Sequence, residues 1–254
     1  MALTYNPAIK IFQGKNIRPP LGSITNGQAY QLTLYPELGK PTRSVLVVKM
    51  TIQFQFKSGA AGEWAPGEKD AFAHRWVDTM KEVWSEKYRI TANASAMPQN
   101  CLDVGVVFDF PYFIDGWHTS DDYEIAVKKE PADKAWVVSS CGYTVGNTTL
   151  DSNDFRGEGK GAAMPQRDAV HEFGHMLGLR DEYPSAKNPA LAHRGDLDSI
   201  MNVGETVRER HYAPFAQWLT EQWAIENRKQ GGCPPSARAA YKVEGKIDMS
   251  NALL

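Results

Sequence analysis

His171-Glu172-Phe173-Gly174-His175-Met176-Leu177-Gly178-Leu179-Arg180-Asp181 is the stretch from which the rest of the chain is read. Two histidines four residues apart fall on one face of a helix, so both imidazoles reach a single metal ion. Glu172 stands beside that face, where a carboxylate can take a proton from a metal-activated water. Gly178 is placed to end the helix in a left-handed cap, a conformation glycine adopts without steric cost. The chain can then turn back and offer Asp181 as a third ligand. The fourth zinc position stays open, which marks a catalytic rather than a structural site. One zinc ion is therefore expected on His171, His175 and Asp181, with Glu172 as general base. A chance H-E-x-x-H would carry one solvated and one hydrogen-bonded histidine; the glycine and the acid at their offsets argue against it.

At 254 residues the chain suffices for one large domain or two small ones. A net charge of -2 provides no electrostatic case for nucleic acid or an anionic membrane. No apolar run reaches the length of a membrane span. The start, Met1-Ala2-Leu3-Thr4-Tyr5-Asn6-Pro7, lacks the basic residues and apolar core of a secretory signal. The expectation is cytoplasmic synthesis, followed by retention, export by a signal-independent route, or secretion recorded in mature form. Cys101, Cys141 and Cys233 form no C-x-x-C pair, and their odd count favours three reduced, buried thiols over one disulfide and a leftover thiol.

Turn residues between short apolar stretches make residues 1–43 a β-rich lead-in, packed on or docking to a body of residues 44–254. Val45 to Lys57 reads as strand, with Ile52, Phe54 and Phe56 alternating against Gln53, Gln55 and Lys57. After a loop from Gly59 to Gly67, the spacing of Phe72, Trp76, Met80, Val83, Trp84 and Lys87 predicts a helix with one apolar stripe. Leu102 to Phe110 suits a buried strand, Tyr123 to Lys128 a half-exposed one, and Ala135 to Ser140 a short one. Asn147 to Gly161 is polar and glycine-containing and reads as a surface loop. Its acids Asp151, Asp154 and Glu158 match no calcium spacing and are expected to be solvated. Pro165 is expected to open the helix of His171, and Pro214 a last helix carrying Phe215, Trp218, Leu219, Gln222 and Trp223.

His171-Glu172-x-x-His175-x-x-Gly178-x-x-Asp181, followed by Ser199-Ile200-Met201-Asn202, resembles the signature of the zincin-type metallopeptidases, and more narrowly the metzincin-like branch. The motifs cover about 35 residues, and the order of elements extends the likeness across about 45–230. The resemblance implies an α+β catalytic domain, a twisted mixed sheet with an active-site helix and a C-terminal helix. It also implies a methionine turn, here Met201, as an apolar floor beneath the metal. Many members carry a tyrosine two residues after that methionine; here Val203 stands there, so any donor to the oxyanion must come from elsewhere. His211 and Tyr212 are the leading candidates, and Tyr183 is a third. For the third ligand, Glu182, His193 and His211 compete with Asp181. His74, Trp117 and His118 are read as structural, solvated or cleft-lining.

The resemblance implies a zinc-dependent endopeptidase acting on protein or peptide. Its substrate would lie antiparallel to an edge strand above the active-site helix, with Ala135 to Ser140 the candidate and Gly142 and Tyr143 at the rim. Three alternatives stay open: a zinc amidase or peptidase acting on peptidoglycan stems, a non-catalytic module stabilised by zinc, and an interaction or toxin component, a bacterial effector delivered to another cell. A secretion machine or a separate inhibitor is the further kind of partner expected.

Overall fold

The lead-in is woven into the main sheet. β1 (Phe12–Ile17) pairs antiparallel with β2 (Tyr30–Pro36), and β2 pairs antiparallel with β3 (Arg43–Lys49). Tyr30, Leu32 and Leu34 of β2 are fully buried, so this segment is core. The computed structural model describes residues 3–17, 30–92, 103–116, 122–134, 139–142, 146–159, 165–183, 193–229 and 241–246.

Val45 to Lys57 is two strands rather than one. β3 ends at Lys49, and β4 (Ile52–Lys57) begins after Met50 and Thr51 but belongs to a different sheet. Between them the Thr51 N–H leaves the ladder and donates to Asp122 Oδ2 at 2.7 Å, while its carbonyl accepts from the Asp122 and Tyr123 amides. The neighbouring chain breaks at the same level. After α1 (Pro66–Trp84) and β5 (Tyr88–Ala92), β6 (Asp103–Asp109) runs parallel to β3, and β7 (Tyr112–Ile114) runs parallel to β4. Pro111 lies between β6 and β7, and a proline has no N–H to give to a ladder.

One expected mixed sheet is therefore two. The second gains β8 (Tyr123–Lys128), β9 (Ser140–Gly142) and β10 (Asn147–Asp151), in the order β7-β4-β8-β10-β9. All its pairs are parallel except β10 with β9, which lies at the end of the sheet. The strand β10 corrects the reading of Asn147 to Gly161 as a loop. Thr148 and Leu150 point inward while Asn147 and Thr149 are exposed, a strand alternation hidden by a polar composition. Asp151 and Asp154 are buried, so the expected solvated acids are interior ones; the Glu158 side chain lies outside the described residues.

A short ladder, β11 (Glu158–Gly159) with β12 (Pro165–Gln166), precedes α2 (Asp168–Met176). Pro165 thus sits in β12, and the helix opens two residues past Gln166. A 3-10 turn, Glu209–Tyr212, leads into α3 (Ala213–Lys229) with Pro214 in its first turn, and β13 (Tyr241–Lys246) closes the six-stranded sheet β1-β2-β3-β6-β5-β13. Among the described residues the architecture is α+β, with two mixed sheets and three α-helices. No helix among them is long and apolar enough to cross a membrane.

The helices meet over an aromatic core. The α1 stripe of Phe72, Trp76, Met80, Val83 and Trp84 is buried as its spacing requires, while Lys87 falls beyond the helix. Phe173 of α2 packs edge-on against Trp76, Trp84, Phe108 and Phe110, and Phe215 of α3 against Tyr30, Phe108 and Tyr212. Every residue of α2 is buried. A helix so enclosed, yet carrying two histidines, a glutamate and an aspartate, must direct them at one another or at a ligand.

Candidate metal centre

α2 ends as its sequence dictates. Gly178 has φ +87°, its N–H reaches the His175 carbonyl at 2.8 Å, and the Leu179 N–H reaches the Gly174 carbonyl at 3.0 Å. These two bonds define a Schellman cap, and the left-handed turn carries the next residues back toward the helix face. The Leu179 carbonyl lies 2.8 Å from His175 Nδ1, and the Ile200 carbonyl lies 2.7 Å from His171 Nδ1. A carbonyl only accepts, so each Nδ1 carries the proton and each Nε2 presents its lone pair. The rings stand nearly perpendicular, with centroids 4.8 Å apart.

Asp181 meets both of those lone pairs. Its Oδ1 is 3.1 Å from His171 Nε2 and 3.2 Å from His175 Nε2. Three acceptor atoms so close repel one another unless a cation joins them. Burial pushes the Asp181 carboxyl upward, but the two imidazoles outweigh it and hold it well below the usual carboxylate range. Burial likewise lowers His175, and the adjoining Asp181 carboxylate with the charge of Glu172 reverses this into a net rise. The donors of His171, Glu172 and His175 also lie within 4.8 Å of one another, a buried group able to hold a metal ion. Two imidazole nitrogens oriented by carbonyls and a carboxylate oxygen make a donor set that suits zinc.

Glu182 is engaged elsewhere. Its two carboxylate oxygens are each 2.6 Å from the Arg210 guanidinium, and its N–H donates to the Met201 carbonyl at 2.7 Å. Arg210 and Arg208 both reach Asp196. The His211 Nδ1 accepts from the Arg208 N–H at 3.1 Å, so its proton is on Nε2, which faces Glu182 and Ser199 at 3.4 Å. Burial lowers the His211 pKa against the pull of Glu182. His211 thus belongs to the clamp on Glu182. His193 is exposed.

Tyr212 is turned away from the site. Its hydroxyl donates to the Trp84 carbonyl and accepts from the Lys87 N–H, and its ring packs on Tyr88 and Phe215. The expectation that it serves as an oxyanion donor is corrected on this ground. Among the described residues, Tyr183 is the tyrosine at the site. Its ring stacks over His171 at 6.1 Å and 24°, and burial, the charge of Asp181 and a hydrogen bond with Asp181 raise its pKa.

Met201 is fully buried against α2. A methyl group placed on Gly174 would collide with its sulfur, so the turn presses on the helix between the two histidines. On the other side, β9 adjoins α2: the Cys141 thiol, pushed up to about 11 chiefly by burial, also feels the charge of Glu172. Of the expected edge strand, Ser140 is in β9, while Ala135 to Val138, Tyr143, Trp117 and His118 lie outside the described residues, as do Cys101 and Cys233. Sequence reasoning missed Gln166, whose amide lies inside the methionine turn. A lone glutamine before a helix carries no signal that would have singled it out. No protein family, curated protein or solved structure matches this chain.

Proposed function

We propose that this chain is a zinc-dependent metallopeptidase with a zincin-like catalytic domain, cleaving peptide bonds within protein or peptide substrates. The observation that carries the reading is the convergence of His171 Nε2, His175 Nε2 and Asp181 Oδ1, with Glu172 between the histidines on the same buried helix. His171, His175 and Asp181 would hold the ion. Zinc supplies Lewis acidity, which polarises a scissile carbonyl and makes water a nucleophile at neutral pH.

Glu172 takes the proton of the attacking water and returns it to the leaving nitrogen. Its burial keeps that carboxylate out of bulk water. The Ile200 and Leu179 carbonyls hold both imidazoles in the ligating tautomer throughout. Tyr183, whose ring stacks on His171, is the residue to which we assign the donor for the developing oxyanion. Among the described residues β9 is the last strand of its sheet, and we assign its outer edge to the backbone of an extended substrate.

The test is cleavage of an unfolded protein by the purified chain, with Glu172→Ala alongside. Loss of cleavage in a variant that keeps about one zinc per chain supports the peptidase and its base together. A zinc-loaded wild type that cleaves no protein but opens peptidoglycan stems moves the substrate to that class. A wild type that binds no zinc refutes the reading.

A further inference from the structure

Gln166 is 1 % exposed and lies just ahead of α2. Its Nε2 is 3.0 Å from the Ile200 carbonyl, 3.1 Å from that of Asn202 and 2.7 Å from that of Gly204. Three carbonyls at alternate positions of the methionine turn thus point inward at one amide nitrogen. Turning the amide over would set its oxygen against all three, so the orientation is dictated by its surroundings. The Ile200 carbonyl also accepts the His171 Nδ1–H at 2.7 Å. One carbonyl with two lone pairs therefore joins the buried amide to the imidazole. Next in sequence, Arg167 grips the same turn from its rim, with its N–H and guanidinium both on Glu205.

The geometry points to Gln166 as a positioning residue for the metal centre. Its amide closes the turn from within and holds the Ile200 carbonyl where it keeps the His171 proton on Nδ1. The Nε2 lone pair then faces Asp181 and His175. The Arg167–Glu205 tie secures the same turn without touching that carbonyl through a side chain, so the two grips have separable effects. This inference rests on the zinc reading of the site and deepens it.

Gln166→Met keeps the length of the side chain and removes its donors, while Glu205→Gln weakens the rim tie as a control. Each is compared with wild type by thermal unfolding, by nitrogen NMR of the His171 ring in metal-free protein, and by zinc competition against a chelating dye. Wild type is expected to carry the proton on Nδ1. Gln166→Met is expected to mix the two tautomers and lose roughly 10- to 100-fold in zinc affinity, the usual effect of losing an outer support. Glu205→Gln is expected to lower the unfolding temperature and leave tautomer and affinity unchanged. If Gln166→Met does not fold, Gln166→Glu, equal in shape with at most one donor, takes its place with the same expectation. An unchanged tautomer and affinity at position 166, or equal losses in both variants, overturns the inference. A wild type with the Nδ1 tautomer that binds no zinc refutes the metal reading and leaves the positioning of His171 standing.

Discussion

Gly174→Ala tests the seat of the methionine turn against α2. In an ordinary helix interior this change stabilises by about 1 kcal/mol, because glycine has more backbone freedom to lose. Here the added methyl would overlap the Met201 sulfur, stand 3.1 Å from Met201 Cε and meet Trp84 Cη2 at 3.3 Å. Neither neighbour has room to retreat: both are fully buried, and the Trp84 indole N–H donates to the Val170 carbonyl at 3.2 Å. Overpacking costs about 1–3 kcal/mol, and an overlap with a buried sulfur that also crowds a buried indole belongs to the upper half of that range, about 2–3 kcal/mol. Set against the helix gain, the net loss is about 1–2 kcal/mol, a fall in unfolding temperature of roughly 2–8 °C for a chain of this size. Thermal unfolding followed by circular dichroism measures it. Met201→Ala in the same chain removes the obstructing sulfur, so the double variant should show a coupling energy of the opposite sign. A neutral or stabilising Gly174→Ala would refute the claim that Met201 is pressed onto α2.

Tyr183→Phe is expected to lower kcat by about 10²–10³, the cost of one oxyanion donor, with zinc retained; single-turnover cleavage with metal analysis checks it. Arg210→Ala leaves the Glu182 carboxylate buried without its main partner and is expected to destabilise by about 3 kcal/mol, with partial recovery on adding Glu182→Gln; denaturant unfolding reads both. The Asp154 carboxyl is pushed up to about 8, first by burial and then by Asp151 and Asp168, although Ser139 and the Asp151 N–H donate to it. Between about pH 4 and 8 the folded state then holds a proton that the unfolded state has lost, so stability falls as pH rises across that window. Asp154→Asn should remove this slope, and an unchanged slope in urea titrations at several pH values would count against the raised carboxyl.

The candidate metal centre was legible because most of it is local. Helical periodicity brings His171 and His175 together, a glycine without a Cβ allows the turn at Gly178, and Asp181 follows within reach. The α1 stripe and the alternation of β8 were readable for the same reason: one element and one face decide them. The break at Met50 and Thr51 was not, because it depends on Pro111 and Asp122, residues that adjoin other strands far along the chain. Asn147 to Asp151 looked like a loop because its burial comes from β8 and β9, which only the sheet supplies.

The residues around the site divide along the same line. His211 and Tyr212 are neighbours with equal claims on paper, yet one ring clamps Glu182 and the other hydroxyl meets α1. Glu182 and Asp181 are adjacent acids, and only the position of Arg210 separates a clamped carboxylate from one that meets the histidines. By itself the sequence determined the helix that brings His171 and His175 together with Glu172 beside them, and the turn that returns Asp181, since backbone geometry over a few residues suffices. Tertiary structure decided which groups orient those side chains and, among the described residues, which tyrosine stands beside them. Those roles depend on distances between residues far apart in the chain, and packing alone sets such distances.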